Sequence, residues 1–325
     1  MILAGDVGGT KVRLALYEHD GSRFVRGRTE TIASAEFCSL EDVVNVFIRN
    51  VNKPIEAACF GVPGPVINGS SQATNLTWKM SEKALVEKTG LHKVRLVNDL
   101  FATAAAVPHL TEEELLILHR GEQSEDDTFR CAVLAPGTGC GQAFLYRESG
   151  RDHIYASEGG HVNFAPHTEI EIELLLYLKS KFGRVSYERI LCGSGLMNIY
   201  TFLKERHHAE EPDELGERLQ NEDPAAVITT TGLAEQYEIS VRTLDIFTSI
   251  LGAHAGNLML TYLAMSGIYL GGGIPPKIIK KLADGTVRDA FLNRGRLSNL
   301  LRKSSLFVIK DDHAALLGAA HRAHI

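Results

Sequence analysis

Two short glycine turns are the first features of this sequence that indicate a chemical function, because their residues suit the binding of an anion. One is Asp6-Val-Gly-Gly-Thr-Lys11 and the other is Gly137-Thr-Gly-Cys-Gly141, and each lies between two predicted strands. Because glycine has no Cβ, backbone N–H groups in such turns can approach an anion, and Thr10 and Lys11 would add donors. A plain β-hairpin also needs glycine, but the first motif in its strand context favours phosphate binding.

These turns differ from the two commonest nucleotide-binding motifs. Gly137–Gly141 joins strand to strand, without the helix N-terminus that receives a pyrophosphate in a Rossmann fold. No Walker A sequence occurs in the chain, so a P-loop kinase is excluded. The two turns support each other, because a triphosphate needs donors on both walls of its site. Asp6 could hold Mg2+ through water, since a hard cation prefers oxygen ligands.

A third glycine run, Gly271-Gly272-Gly273, follows the predicted buried strand IYL. Open backbone there could let a flat adenine ring lie against the chain. A simple strand-to-helix connection explains the segment nearly as well when it is taken alone.

Three further segments carry side chains suited to an acceptor hydroxyl. Asn98-Asp99 follows a buried strand and opens a helix, whose N-terminus favours an ionised carboxylate. Such a carboxylate suits a base in phosphoryl transfer, although an Asp N-cap is the commoner role. Glu158-Gly-Gly-His161 can bring two polar side chains onto vicinal sugar hydroxyls; a metal pair is the weaker rival, because no further ligand stands at metal spacing. Glu188 could be another hydroxyl acceptor, or a plain helix-surface glutamate.

The predicted elements place these motifs in two similar halves. Residues 2–25 read as strand, glycine turn, strand, hairpin turn and strand, and residues 130–157 repeat that order. Two related α/β halves facing each other across a cleft would explain the repeat. The rest of the chain is mainly helical. A long helix is predicted over 240–265, with an apolar stripe of Leu244, Phe247, Leu251, His254 and Leu258.

Composition restricts the partners and the compartment. A net charge of −6 and a pI of about 6.1 argue against nucleic acid and anionic membrane surfaces as partners. The five cysteines are scattered and form no CxxC pair, which indicates reduced, mostly buried thiols in a reducing compartment. No apolar run reaches the roughly 20 residues that cross a bilayer, and the N-terminus has no signal-peptide pattern. We therefore expect a cytoplasmic protein.

Taken together, the motifs resemble the bacterial glucokinase family, within the sugar kinase, actin and Hsp70 superfamily. DVGGTKVRLAL and APGTGCGQA resemble its phosphate loops, and YLGGGIPPK resembles its adenosine segment. TNLTWKMS, VNDL, SEGGHVNFAP and YERILCGSG resemble its sugar-site segments. A related repressor and kinase family carries a Cys-rich zinc motif after this histidine. Here VNFAPHTEIEIE follows His161, so the resemblance is to the non-zinc branch.

The resemblance implies a fold, an activity and a set of site residues. The fold would be two ribonuclease-H-like α/β domains facing across a cleft, a smaller one of residues 1–108 plus 305–325 and a larger one of residues 109–304. The activity would be transfer of the γ-phosphoryl group of ATP to the 6-hydroxyl of glucose, with Asp99 as general base and Mg2+ held by Asp6 through water. Glucose would be bound by Asn98, Asp99, Glu158, His161 and Glu188. ATP would be bound by Asp6, Gly8, Gly9, Thr10, Lys11, Gly137, Thr138, Gly139, Gly272 and Gly273.

The same sequence allows other functions. The chain could be a kinase for another hexose, such as mannose or fructose, or could use ADP or polyphosphate as donor. It could also be a non-catalytic sugar- or nucleotide-binding regulator on the same scaffold, although retention of Asp6 and Asp99 beside intact glycine turns argues against this. A homodimer is expected from the family resemblance alone, with the helix region 240–265 as part of the contact.

Overall fold

The computed structural model describes residues 1–72, 77–122 and 128–324, and the chain in these ranges forms two compact units. The first unit consists of the described parts of Met1–Thr111, of Asp152–Ala156 and of the chain from His313 onward. The second unit consists of the described parts of Glu112–Arg151 and Ser157–Asp312.

Runs of strands and runs of helices follow one another along the described chain. The strands are β1 (Ile2–Val7), β2 (Lys11–His19), β3 (Phe24–Ala33), β4 (Ala57–Val62), β5 (Ser70–Gln72), β6 (Lys79–Ser81), β7 (Val94–Asn98), β8 (Leu115–His119), β9 (Phe129–Pro136), β10 (Cys140–Glu148), β11 (Arg151–Ser157), β12 (Gly267–Leu270) and β13 (Leu306–Ile309). The α-helices are α1 (Leu40–Ile48), α2 (Glu82–Thr89), α3 (Asp99–Ala106), α4 (Glu169–Phe182), α5 (Gly193–Glu205), α6 (Asp213–Asn221), α7 (Pro224–Leu233), α8 (Glu238–Tyr262), α9 (Ile279–Leu282), α10 (Thr286–Leu292), α11 (Ser298–Leu301) and α12 (Ala314–His324). Short 3-10 turns cover Ser34–Glu36, Val107–His109, Glu112–Glu114, Gly159–His161, Tyr187–Arg189, Pro275–Ile278 and Gly295–Leu297.

A five-stranded sheet in the order β3-β2-β1-β4-β7 forms the centre of the first unit. β1 pairs antiparallel with β2 and parallel with β4, and β4 pairs parallel with β7. Successive residues of a strand point to opposite faces, so Leu3 packs with α1 and α2 while Ala4 packs with α3 and α12. All of β4 is buried, as expected for a parallel strand covered on both faces.

Four strands of the second unit, in the order β10-β9-β12-β13, repeat the pairing of β2-β1-β4-β7, and β8 adds an antiparallel strand beside β13. β9 pairs antiparallel with β10 and parallel with β12, which pairs parallel with β13. The repeated strand, glycine turn and strand predicted from the sequence are confirmed by these two hairpins. The larger core of this unit packs the sheet against a helical layer that contains α5, α7 and α8.

The long helix α8 lies at the centre of that layer. Its predicted apolar stripe is confirmed, because all five stripe residues, including His254, are buried. The helix ends at Tyr262 rather than at the predicted residue 265, because Leu263 adopts a left-handed conformation with φ of 47° and its N–H bonds to the Met259 carbonyl. In the described ranges no helix has both the length and the apolar character needed to cross a membrane.

The boundary between the two units differs from the sequence-based division at the C-terminal end. That division placed residues 305–325 in the smaller domain. In the structure the strand Leu306–Ile309 belongs to the second unit, because it pairs with β12 and β8. After β13 the chain returns to the first unit at His313, and Asp152–Ala156, which the division placed in the larger domain, also belong to the first unit.

Candidate functional site

The glycine turn of the first unit connects β1 to β2. Gly8 N donates to Lys11 O at 2.8 Å and closes the turn, and the Ser34 hydroxyl donates to Gly8 O at 3.1 Å. Gly9, Thr10 and Lys11 are exposed at its tip. The turn is thus fixed from behind while its tip faces solvent, which is the arrangement that an anion-binding turn needs.

Asp6 lies one residue before the end of β1. Its Oδ2 is 3.4 Å from Nη1 of Arg13, the residue opposite it on β2. The Asp6 side chain is 21% exposed, so solvent and small ions can reach it. A hydrated Mg2+ fits this carboxylate, because Mg2+ keeps several waters and uses one or two protein carboxylates.

Asn98 and Asp99 lie where β7 ends and α3 begins. The Asn98 Oδ1 accepts from the N–H groups of Leu100 at 3.0 Å and Phe101 at 3.2 Å, and its Nδ2 donates to Gly64 O at 3.2 Å. Asn98 is therefore the N-cap, and Asp99 is the first helical residue, with its Oδ1 accepting from Leu100 N at 2.8 Å. The N-cap role considered for Asp99 is filled by Asn98, so capping does not account for the carboxylate.

Asp6 and Asp99 lie at the same edge of the first sheet. Asp6 is opposite Gly61 on β4, and Gly61 is opposite Val97 on β7. Neighbouring strands are spaced by about 4.8 Å, which places Asp6 and the end of β7 about 10 Å apart. A Cβ on Gly61 would lie 3.4 Å from the Asp99 Cα. Two carboxylates thus stand at the carboxyl ends of parallel strands, where ligands bind in open α/β sheets.

The glycine turn of the second unit connects β9 to β10. Gly137 N donates to Gly139 O at 2.8 Å, and Gly193 N, at the start of α5, donates to Gly137 O at 2.9 Å. Thr138 is exposed at the tip. This turn, like the first, is braced by hydrogen bonds on one side and open on the other.

The third glycine run lies beside this turn in the second unit. Gly272 has φ of 81°, and a Cβ there would lie 2.7 Å from Pro136 O. A Cβ on Gly137 would lie 3.5 Å from Gly273 N. The structure therefore brings these two glycine segments together, and the close approach itself requires a residue without a side chain at Gly272.

Three polar side chains converge beside the second turn and are called here the acceptor cluster: Glu158, His161 and Glu188. His161 Nε2 is 3.8 Å from Glu158 Oε2, and His161 Nδ1 is 3.7 Å from Glu188 Oε1. Their side chains are 79%, 55% and 33% exposed for Glu158, His161 and Glu188. Donor and acceptor atoms at these distances, open to solvent, suit a ligand that carries several hydroxyl groups.

Glu188 joins the acceptor cluster to the glycine turn. Its Oε2 accepts from Cys140 N, the first residue after the turn, at 3.0 Å. A Cβ on Gly139 would lie 2.6 Å from the same oxygen, so glycine is needed there to admit the carboxylate. Glu188 belongs to the 3-10 turn Tyr187–Arg189 rather than to an exposed helix face.

Two buried polar residues lie close to this cluster, Gln142 on β10 and His254 on α8, and neither had a functional role predicted from the sequence. A histidine inside the apolar stripe of a helix was the available signal, because a buried imidazole requires a partner. The predicted sugar-site segment TNLTWKMS is described only from Thr77 onward, and its residues 74–76 lie outside the described residues. In the described part, Trp78 and Met80 are buried in the first unit's core.

The cysteines are mostly buried, as predicted: all except Cys38 are buried, and no disulfide joins the five. Burial raises the pKa of the Cys59 thiol to about 12, so this thiol is inert as a nucleophile at neutral pH.

Comparison with known proteins places the chain in one family. The family model described as Glucokinase matches residues 3–325. The glucokinase of Nostoc punctiforme is 35% identical over 98% of this chain and 98% of its own length. A glucokinase from an Antarctic psychrotroph superposes with a TM-score of 0.86 at 29% identity, covering 99% of this chain and 98% of that one.

A more distant relative shares the fold. The glucokinase of the ROK family from Streptomyces griseus, solved with glucose and AMPPNP, superposes with a TM-score of 0.66 at 17% identity over 99% of both chains. The α/β fold of the sugar kinase, actin and Hsp70 type, inferred from the sequence, is confirmed by these neighbours. From the match along nearly its whole length, this chain belongs to the glucokinase family.

Proposed function

We propose that this protein is a glucokinase that transfers the γ-phosphoryl group of ATP to the 6-hydroxyl of glucose. The observation that carries the proposal is the position of Glu188, whose two oxygens face a glycine turn and His161. The Glu188 carboxylate thereby contacts both the glycine turn proposed to bind phosphate and the histidine proposed to bind sugar hydroxyls. The glucokinase relatives that align along the whole chain support glucose as the sugar.

The acceptor cluster would hold glucose through its hydroxyl groups. Carboxylate oxygens accept hydrogen bonds from sugar hydroxyls, and a neutral imidazole can donate through one nitrogen and accept through the other. The spacing of His161 from Glu158 and Glu188, near 3.8 and 3.7 Å, is longer than a hydrogen bond. A ligand hydroxyl therefore competes with no strong contact among these three side chains.

Asp99 would act as the general base. The N-terminal end of α3 favours its ionised form, and the Asn98 cap fixes the backbone on which it stands. The 6-hydroxyl proton passes to the Asp99 carboxylate as the hydroxyl oxygen attacks the γ-phosphorus and the bond to the β-phosphate oxygen breaks. ADP leaves with the electron pair of that bond, and the proton is later released to solvent.

The glycine turns would receive the phosphates of ATP. Their tips, at Gly9 to Lys11 and at Thr138, are exposed and backed by hydrogen bonds, so backbone amides and the Lys11 ammonium can meet negative charge. Gly272 and Gly273, beside the second turn, would face the adenosine. Asp6 would hold Mg2+ through water; the ion, when bound, neutralises charge on the transferred phosphoryl group.

A coupled assay for glucose 6-phosphate with ATP and Mg2+ tests the proposal. Glucose should be turned over, and mannose, fructose and N-acetylglucosamine should react poorly. Turnover on another hexose alone would replace the sugar assignment, and turnover only with ADP or polyphosphate would replace the donor. Absence of turnover with every sugar, in folded protein that still binds glucose, would favour the regulator instead.

We also propose that the two units are the family's two domains, and we propose a homodimer and a cytoplasmic, glycolytic role. These rest on the family resemblance. Light scattering on the purified protein tests the dimer, because a monomer mass of 35.6 kDa would double.

A further inference from the structure

A buried polar stack adjoins the acceptor cluster inside the second unit. It consists of Gln142 on β10, His254 on α8 and Tyr187 in the 3-10 turn, which are 2%, 3% and 3% exposed. The Gln142 side-chain nitrogen is 2.6 Å from His254 Nε2, and the rings of His254 and Tyr187 stack with centroids 3.6 Å apart. Burying polar groups in a core is costly unless they are paired, so this stack calls for a role.

One end of the stack contacts the turn that carries Glu158 and His161. A Cβ on Gly159 would lie 2.1 Å from Gln142 Oε1, so the amide oxygen is in close contact with the backbone of that turn. The next residue, Gly160, is equally close to β10, because a Cβ there would lie 1.9 Å from Cys140 O. The two consecutive glycines therefore pack in close contact with β10, the strand that carries Gln142.

The other end of the stack is Tyr187, which is the neighbour of Glu188 in the chain. The Tyr187 hydroxyl accepts from Asn257 Nδ2 at 3.0 Å while its ring lies on His254. Tyr187 N also donates to Val162 O at 3.2 Å, which links this turn to the residue after His161. Tyr187 is therefore linked to both sides of the acceptor cluster, by its backbone to Val162 and by the chain to Glu188.

His254 is held neutral between these two ends. Burial, assisted by the nearby Arg294 guanidinium, lowers the pKa of His254 to about 3. A neutral imidazole has one accepting nitrogen, and with the Gln142 amide nitrogen donating to Nε2, the Gln142 oxygen faces Gly159. Among the described residues no group forms a hydrogen bond with His254 Nδ1. Within that part of the chain, the ring's hydrogen bond is therefore the one between Nε2 and Gln142.

We infer that the polar stack is a positioning device for sugar binding. His254 fixes which way the Gln142 amide points and which way the Tyr187 ring lies. The first sets the Glu158–His161 turn and the second sets Glu188. None of the three stack residues touches the sugar in this assignment. The identity of the ligand rests on the proposed glucokinase function, whereas the positioning itself rests on the contacts above.

Two variants separate positioning from simple stability. His254→Phe keeps a ring against Tyr187 but leaves the Gln142 amide buried without its acceptor, which lowers the melting temperature. Adding Gln142→Leu removes the second polar partner, so Q142L/H254F should recover most of that loss. Glucose Kd, measured by calorimetry, should rise about tenfold or more in both variants, as expected for a misplaced binding group. The KM for ATP should stay unchanged.

Thr248→Val is the matched control. Thr248 is a fully buried polar residue of the same helix whose hydroxyl donates to Leu244 O at 2.7 Å, within the helix. It should lower stability slightly and leave glucose Kd unchanged. If the glucose Kd of Q142L/H254F returns to the wild-type value together with the melting temperature, the positioning role is overturned. If H254F alone fails to fold, the same measurements are made on the double variant only.

Backbone amide hydrogen exchange of residues 157–163 tests the positioning independently of the proposed function, because it needs no ligand. It should be faster in both stack variants than in wild type and in T248V, whatever the ligand is. Wild-type protein that binds no glucose would remove the proposed function, while faster exchange in the variants would still support the positioning. Unchanged exchange in both variants would overturn the inference even in a working glucokinase.

Discussion

Each of the two glycine turns joins a pair of antiparallel strands, but different groups surround them. Behind the first turn stand a serine hydroxyl and the charged pair of Asp6 and Arg13, 3.4 Å apart. Around the second turn lie other glycines and the Glu188 carboxylate, tied to the strand by the Cys140 amide. The same hairpin therefore has an ion pair beside it in the first unit, and closely packed glycine backbone with one carboxylate beside it in the second. In the proposed function, the base Asp99 and the Mg2+ ligand Asp6 belong to the first unit, and the acceptor cluster belongs to the second.

Removing Asp99 should have the most severe consequence for catalysis. Asp99→Asn keeps an oxygen that can accept from Leu100 N, so the helix start is preserved. Loss of the base should lower kcat by about a thousandfold, within the range for general bases. Glucose Kd, measured by calorimetry, should change little. Asp213→Asn, the first residue of α6, is the control and should leave kcat unchanged. A kcat of D99N within a few-fold of wild type would remove Asp99 from the chemistry.

Asp6 provides the next largest expected effect. Asp6→Asn removes the charge that would hold Mg2+ and also weakens the contact with Arg13. We expect kcat to fall roughly a hundredfold, similar to the loss of one electrostatic stabiliser, and the Mg2+ concentration for half-maximal rate to rise. Steady-state kinetics with varied Mg2+ measure both. Glu18→Gln on β2, whose partner is the exposed Lys53, is the control. An unchanged Mg2+ dependence in D6N would place the ion elsewhere.

Alanine substitutions in the two turns should affect different substrates. Gly139→Ala would place a Cβ 2.6 Å from Glu188 Oε2, whereas Gly8→Ala meets Lys11 O at 3.1 Å and Gly137→Ala meets its nearest atom at 3.5 Å. G139A should therefore raise the KM for glucose about tenfold by displacing Glu188. G8A should act on the KM for ATP instead, and G137A should change glucose KM least. Equal glucose KM values for all three variants would contradict the role assigned to Glu188.

Local chemistry made much of this molecule predictable from its sequence. A serine or threonine followed three positions later by an acidic residue indicates a helix start, and Ser39 and Thr168 in this pattern do cap α1 and α4. The glycine turns fall between paired strands. These features depend on residues a few positions apart, so periodicity and turn residues are sufficient to locate them.

Features that depend on distant residues were not predictable in the same way. β13 pairs with β8, far back in the chain, which moved the domain boundary from residue 305 to His313. Gln142 and His254 are 112 positions apart, and their contact exists only once β10 and α8 pack together. The convergence of Glu158, His161 and Glu188 needed the family resemblance, because no spacing rule links Glu188 to the other two.

The smallest expected effect concerns the helix that supports α3 in the first unit. α12 lies so close to α3 that a Cβ on Gly318 would lie 1.8 Å from Ala102 O. On α12, His321 stacks on His109 with centroids 3.4 Å apart and meets the edge of Phe24. Burial, with the neighbouring histidines, lowers the pKa of His321 to about 4 although Asp152 acts in the opposite direction.

Because the folded pKa of His321 lies below its unfolded value, the unfolded chain binds more protons between about pH 6.5 and 4. The stability linked to this ring is present above pH 6.5 and is lost as pH falls toward 4. Wild type should lose about 1 kcal/mol more than His321→Phe over that window, after allowance for solvent screening at a half-buried ring. Urea unfolding followed by Trp78, the chain's single tryptophan and part of the first unit's core, measures this. His92→Phe, at an exposed position of the same unit, should follow the wild-type curve. Parallel curves for wild type and H321F would show that protonation of this histidine does not govern how α12 supports α3.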